Sequence, residues 1–201
     1  MDDTFLEFFK QLATPSWAEM IAVILALAYV WLAAHQNIWC WPCALISTGI
    51  YTWLFWEVAL PFHTALNAFY LLMAVYGWFK WQEQSTGQIT VQSWPIRRHA
   101  SWIVLLIIIS VVLSQFASIF LDADYLYLDA FITVFSVFTT VLIAHKVLEN
   151  WLYWMVINTF ASFLYFSKDM QPTGLLFIAY LGFAIYGYFS WRRQQQGPQL
   201  A

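Results

Sequence analysis

The sequence predicts an all-α integral membrane protein of seven transmembrane helices, built as two three-helix repeats joined by a linker helix. Three observations carry this reading. The 201 residues are 62% hydrophobic and 9% charged, with a mean hydropathy of +0.65. A soluble domain carries about 25% charged residues, so this chain lacks the polar surface that water requires. Seven apolar runs approach the ~20 residues needed to cross hydrocarbon. Finally, the second half repeats the first at an offset of 110 residues, with 13 identities in 51 positions between 32–82 and 142–192.

The runs follow one another with short polar cuts. Span 1 (about 17–35) ends at His35-Gln36-Asn37. Span 2 (39–59) opens on Trp39-Cys40-Trp41-Pro42-Cys43 and stops before Pro61. Span 3 (62–81) closes on Tyr76-Gly77-Trp78-Phe79-Lys80-Trp81. The polar stretch 82–100 then leads to span 4 (101–121), the linker. Spans 5 (126–145) and 6 (150–168) precede Lys168-Asp169 and Pro172. Span 7 (173–191) closes on Tyr186-Gly187-Tyr188-Phe189-Ser190-Trp191, matching the end of span 3. The chain thus reads as a single membrane domain over 1–201. Its parts are a first repeat at 17–81, the linker at 101–121, a second repeat at 126–191 and a tail at 192–201. The opening residues MDDTFLEFFK are acidic and lack a basic n-region, so a cleaved signal peptide is not expected.

One linker span after an odd number of spans returns the second triplet to the orientation of the first, which makes the repeats parallel. Lys80, Arg97, Arg98, His145, Lys146, Arg192 and Arg193 fall at one set of ends. Asp2, Asp3, Glu7, Asp122, Asp124 and Asp129 fall at the other. The Lys/Arg excess marks the cytoplasmic side, placing the N-terminus outside and the C-terminus inside.

Catalytic patterns are scarce. The Cys40/Cys43 pair has CxxC spacing, but thiol-redox chemistry needs an accessible thiolate on a βαβ scaffold, and none is predicted. Two packing residues at a helix start are the better reading. The histidines (35, 63, 99, 145) are scattered, and metal-protease, nucleophile-elbow and phosphate-loop patterns are absent from the sequence. Glu57 reads as an interfacial carboxylate. No cofactor, metal or nucleic-acid partner is expected.

Neutral polar residues among aromatics are the stronger signal. Trp151, Trp154, Asn158, Ser162 and Tyr165 share one face of span 6. Thr48 stands at the position equivalent to Asn158 in span 2. Span 3 offers His63, Asn67 and Tyr70, span 7 offers Phe177 and Tyr180, and span 5 offers Thr133 and Ser136. An amide in hydrocarbon must be paired. It serves either as interhelical glue or as a ligand contact. Two tryptophans on the Asn158 face favour the ligand. Trp17, Trp39, Trp81, Trp94, Trp102 and Trp191 fall near span ends and read as interfacial belt residues. Glycines 49, 77, 174 and 187 read as bending or close-packing points, as do prolines 42 and 172. Ser110 and Ser114 of the linker are expected to pack between protomers. A pocket of indole, phenol and amide suits a flat aromatic cation. It suits phosphate poorly, since no Arg or Lys lies at mid-span.

The stretch Glu149-Asn150-Trp151-Leu152-Tyr153-Trp154-Met155-Val156-Ile157-Asn158 resembles the NWLxWxxxN motif of the PnuC family of bacterial vitamin transporters. The 3+1+3 layout and the paired YGxFxW ends agree over about 17–193. The resemblance implies a SWEET-like fold, a homotrimer, and uptake of nicotinamide riboside across the inner membrane by facilitated diffusion. A cytoplasmic kinase would then trap the vitamin for NAD salvage. Thiamine, carried by a related branch (PnuT), is the alternative substrate, and a riboflavin branch exists. The implied substrate-binding residues are Trp151, Trp154, Asn158 and Asn67. Tyr70, Tyr180, Thr48 and Ser136 join them from the reading of the spans. The compact 121–130 connection and the stretch Asn37–Pro42 depart from the family pattern.

Overall fold

Apolar runs separated by short polar breaks fold here as seven long helices. The computed structural model describes residues 17–57, 61–85, 91–120, 125–167 and 170–196, without the side chains of 19, 55, 57, 61–65, 84, 85 and 172. Among these residues the helices are α1 (Trp17–Ala34), α2 (Cys40–Glu57), α3 (Pro61–Ser85), α4 (Ile96–Ala117), α5 (Leu126–Ala144), α6 (Asn150–Ser167) and α7 (Gln171–Gln196). The side chains of Glu57, His63 and Pro172, together with Lys168, Asp169, Asp122 and Asp124, lie outside the described residues.

Helices 96–117, 126–144 and 173–196 are long and apolar enough to cross a membrane, with mean hydropathies of 2.3, 2.0 and 1.4. Met20–Ala34 of α1 is a shorter apolar stretch, and α2, α3 and α6 carry more Trp, Tyr, Thr and Asn. Away from the helix ends the outer surface is largely apolar: Ile24, Trp53, Leu72, Val112 and Phe163 are all exposed. An apolar exterior of this extent is lipid-facing rather than water-facing.

Three helices outrun their predicted spans. α3 continues to Ser85 and α7 to Gln196, while α4 starts at Ile96 behind Pro95, whose φ of −65° suits a helix entrance. A hydropathy reading stops at the first charges, whereas backbone hydrogen bonding continues through them. Arg193 sits in the last turn of α7, where a cation favours the helix dipole.

α1 and α5 end in the same way. Gln36 and Lys146 adopt left-handed φ values of 54° and 53°. The N–H of Asn37 bonds to Leu32 O (2.9 Å), and that of Val147 to Leu142 O (3.0 Å). These are Schellman caps, formed without glycine. His35 Nδ1 then bonds to Trp31 O (2.8 Å) and His145 Nδ1 to Val141 O (2.9 Å). A proton on Nδ1 leaves Nε2 as an acceptor. Tyr186 accordingly donates to His35 Nε2 (2.9 Å), and Tyr76 to His145 Nε2 (3.1 Å). Each bond crosses from one half to the other, and all these partners are related by the 110-residue offset.

Helix contacts follow the same pattern. α1 packs on α2 and α7, and α5 packs on α6 and α3. α2 pairs with α3 and α6 with α7, while α4 lies against α5. Trp81 Nε1 donates to Ala144 O (3.1 Å) and Trp191 Nε1 to Ala33 O (3.0 Å). Both indoles are buried, which corrects their assignment to the interfacial belt. A tryptophan near a span end can anchor the opposite half as readily as it can face headgroups. Tyr76→Phe and Tyr186→Phe should each lower stability by about 0.6–1.5 kcal/mol. Equal losses in thermal unfolding in detergent would match the equivalence of the two bonds; a loss from only one would break it.

The connector after α3 is docked. Gln92 N–H donates to Lys146 O (2.9 Å), and Leu148 N–H to Gln92 O (2.8 Å). Glu149 accepts from Ser93 Oγ and from Trp94 N–H (3.2 Å), and lies 3.6 Å from His99 Nε2. The Arg98 guanidinium covers the Trp94 ring at 3.6 Å. Along α4, His99, Leu106, Ser110 and Ser114 form a buried stripe. Ser110 donates to Leu106 O, so Ser110 and Ser114 turn inward rather than between protomers. Small residues there let α4 approach α5 closely.

Candidate functional site

Among the described residues a cavity of about 470 Å³ lies between the helices, within the usual size range of small-molecule sites. α1 contributes Ala26, Tyr29, Val30 and Ala33, and α3 contributes Leu66, Asn67 and Tyr70. α5 contributes Asp129, Ile132, Thr133, Ser136 and Ile143. α6 contributes Trp151, Trp154, Asn158 and Tyr165, and α7 contributes Phe177, Tyr180 and Ala184. Both halves therefore line it. Tyr70 and Tyr180 occupy equivalent positions, as do Ala33 and Ile143.

Of the residues singled out from sequence, Trp151, Trp154, Asn158, Asn67, Tyr70, Tyr180 and Ser136 line this cavity. Thr48 is not among the lining residues. Its hydroxyl donates to Ala44 O (2.7 Å) within its own helix, and α2 packs against α1 and α3 rather than facing the cavity. The duplication thus puts an amide into the site from α6 and a self-satisfied threonine elsewhere.

The lining side chains differ in role. Trp151 is 2% exposed and stands edge-on to Trp191, with ring centroids 5.5 Å apart. Its indole lines the cavity. Trp154 is half-buried and bridges the two apolar clusters of the core. Tyr165 and Phe177 stack at 5.2 Å and 13°. The Tyr70 hydroxyl interacts with Ser136.

Asn158 is 4% exposed and lines the cavity, and among the described residues its side-chain amide has no hydrogen-bond partner. Asn150 lies outside the cavity lining: its Nδ2 donates to Val147 O (2.6 Å), while its buried Oδ1 has no partner among the described residues. A buried amide without a protein partner costs about 1–3 kcal/mol, so a water or ligand must serve it.

Asp129 was read from sequence only as a marker of sidedness. It shares i, i+3, i+4, i+7 spacing with Ile132, Thr133 and Ser136, and that register could have placed it on the cavity face. Cys40 is buried and Cys43 half-buried, both as free thiols outside the cavity lining. Among the described residues no group of His, Cys, Asp and Glu could hold a metal ion.

Residues 16–193 match a family described as nicotinamide mononucleotide transporter. The chain is 22% identical to the nicotinamide riboside transporter PnuC of Escherichia coli (strain K12), over 88% of this chain and 85% of that one. It is 22% identical to the riboflavin/roseoflavin transporter RibM of Streptomyces davaonensis, over 87% and 84%. A crystal structure of the vitamin B3 transporter PnuC superposes with a TM-score of 0.70 at 21% identity, covering 96% of this chain and 88% of that one. With its helices, cavity and family match in agreement, the chain belongs to the PnuC family of multi-pass membrane transporters.

Proposed function

We propose that this protein takes up nicotinamide riboside across the bacterial inner membrane by facilitated diffusion with alternating access, feeding NAD salvage. The observation that carries the reading is the Asn158 amide, buried, lining the cavity and without a partner among the described residues. It is placed to bond the carboxamide or ribose of a vitamin, while Trp154 and the paired Tyr165 and Phe177 offer faces to a pyridinium. Among the described residues no Arg or Lys lines the cavity, which speaks for the unphosphorylated nucleoside over the mononucleotide.

In this reading all seven helices span the bilayer as a single domain. The triplets 17–81 and 126–191 form parallel repeats in a SWEET-like 3+1+3 arrangement around the linker 101–121. The offset-related Tyr–His bonds support that symmetry. The N-terminus is periplasmic and the tail 192–201 cytoplasmic. The chain works as a homotrimer, and a cytoplasmic kinase makes uptake one-way. The two triplets rock about the bound vitamin, as duplicated halves sharing one site allow.

Thiamine is the alternative, since its thiazolium would meet the same rings. Calorimetric titration of purified protein with nicotinamide riboside, thiamine and nicotinamide mononucleotide tests the reading. Selective binding of the riboside is expected. Selective binding of thiamine would keep the mechanism and change the vitamin, whereas binding of neither would overturn the proposal.

A further inference from the structure

We propose that Asp129 is the charge-selecting residue of the cavity, supplying the negative charge that a cationic vitamin ring neutralises. The inference deepens the functional reading above and rests on it.

Asp129 lies in the first turn of α5 and, among the described residues, is the one ionic side chain that lines the cavity. The ion pairs among the described residues, Lys80–Glu83 and His99–Glu149, do not include it. It is close enough to interact electrostatically with the Tyr165 phenol, whose ring stacks on Phe177. The charge therefore sits beside an aromatic wall, and no cation among the described residues is paired with it. The N-terminus of α5 offers a partial positive charge of about half a unit, which leaves a net negative field in the cavity.

Asp129 is exposed at the start of α5, within reach of solvent and of an arriving ligand. Here the countercharge is brought by the ligand. Low-dielectric walls focus the field of a carboxylate along a cavity, favouring cations and repelling phosphates. From Asp129 to Ile143 the lining of α5 covers about 20 Å at 1.5 Å per residue. The carboxylate thus stands at one end of the path, and Ile143 and Trp151 stand at the other. By the charge pattern of the chain that is the outer end, where a vitamin would arrive.

The test is calorimetric titration of wild type, Asp129→Asn and Asp129→Glu with two ligands of one shape. These are nicotinamide riboside, a cation, and its 1,4-dihydro form, which is neutral. Asp129→Asn is expected to lose about three- to five-fold in affinity for the cation, the scale of a solvent-exposed charge pair. Its affinity for the neutral form should hold within about two-fold, which also shows that the variant is folded. Asp129→Glu should keep the preference for the cation. Equal losses for both ligands, or no loss for either, would overturn the role of Asp129. Wild-type binding of the riboside decides the functional reading separately. If wild type binds only thiamine, the same ratio is read with thiamine and its neutral isostere 3-deazathiamine. If wild type binds neither vitamin, both proposals fall.

Discussion

Asn158→Ala is expected to weaken nicotinamide riboside binding by about five- to a hundred-fold and to leave thermal stability unchanged. The first figure follows from removing a buried hydrogen-bonding partner and leaving a ligand group unserved, about 1–3 kcal/mol. The second follows from the cavity. The amide has no partner among the described residues, so its deletion orphans no protein group. These two readouts separate a ligand contact from interhelical glue. Glue would appear as a lower unfolding temperature with binding intact. Trp154→Phe is the companion variant. It keeps a ring against both apolar clusters and weakens the attraction to a cation, because indole is the strongest of the aromatic faces. Uptake into vesicles by a folded Asn158→Ala protein at the wild-type rate would remove Asn158 from the site.

The helix positions were legible because the lipid constraint is simple: a span is an apolar run, and polar residues collect at its ends. The ends themselves were less legible. Arg97, Arg98 and His99 are helical although they are polar, since helix formation outside the hydrocarbon follows capping and not hydropathy. The cavity face of α6 was legible from its 3.6-residue period, because Trp154, Asn158 and Tyr165 differ in kind from the aliphatic residues around them. Thr48 was placed by the repeat alone, and repeats duplicate folds more faithfully than they duplicate sites. Trp81 and Trp191 could not be told from belt residues by position. What distinguishes them is a carbonyl on the other half, and a tertiary contact leaves no local sequence signal. Asp129 was misread for a different reason: a charge near a span end satisfies the sidedness rule and the cavity register at once.

Gly77→Ala is expected to be among the most damaging single substitutions in the chain, with Gly187→Ala close behind. A Cβ at position 77 would fall 2.4 Å from the Trp41 ring, and one at 187 would fall 2.7 Å from the Trp151 ring. Both indoles are 2% exposed and have little room to move, because each is held edge-on by a further tryptophan. Trp81 stands against Trp41 at 5.4 Å and 87°, and Trp191 against Trp151 at 5.5 Å and 89°. In lipid, apolar burial gives helices little reason to associate, so close packing and hydrogen bonds decide. A glycine that admits an indole is therefore part of what joins α2 to α3 and α6 to α7. Overpacking of this kind costs about 1–3 kcal/mol, and the upper end applies where the obstructing ring cannot move. Unfolding in detergent should show the loss, and Gly182→Ala is the control. Nothing lies within 4 Å of a Cβ at position 182, so that change should be neutral or should gain up to about 1 kcal/mol from helix propensity. Adding Trp41→Phe to Gly77→Ala should recover part of the stability, since a smaller ring vacates the space. A double variant as unstable as the sum of its parts would show that the two residues do not share that space, and the packing account of the paired glycines would fail.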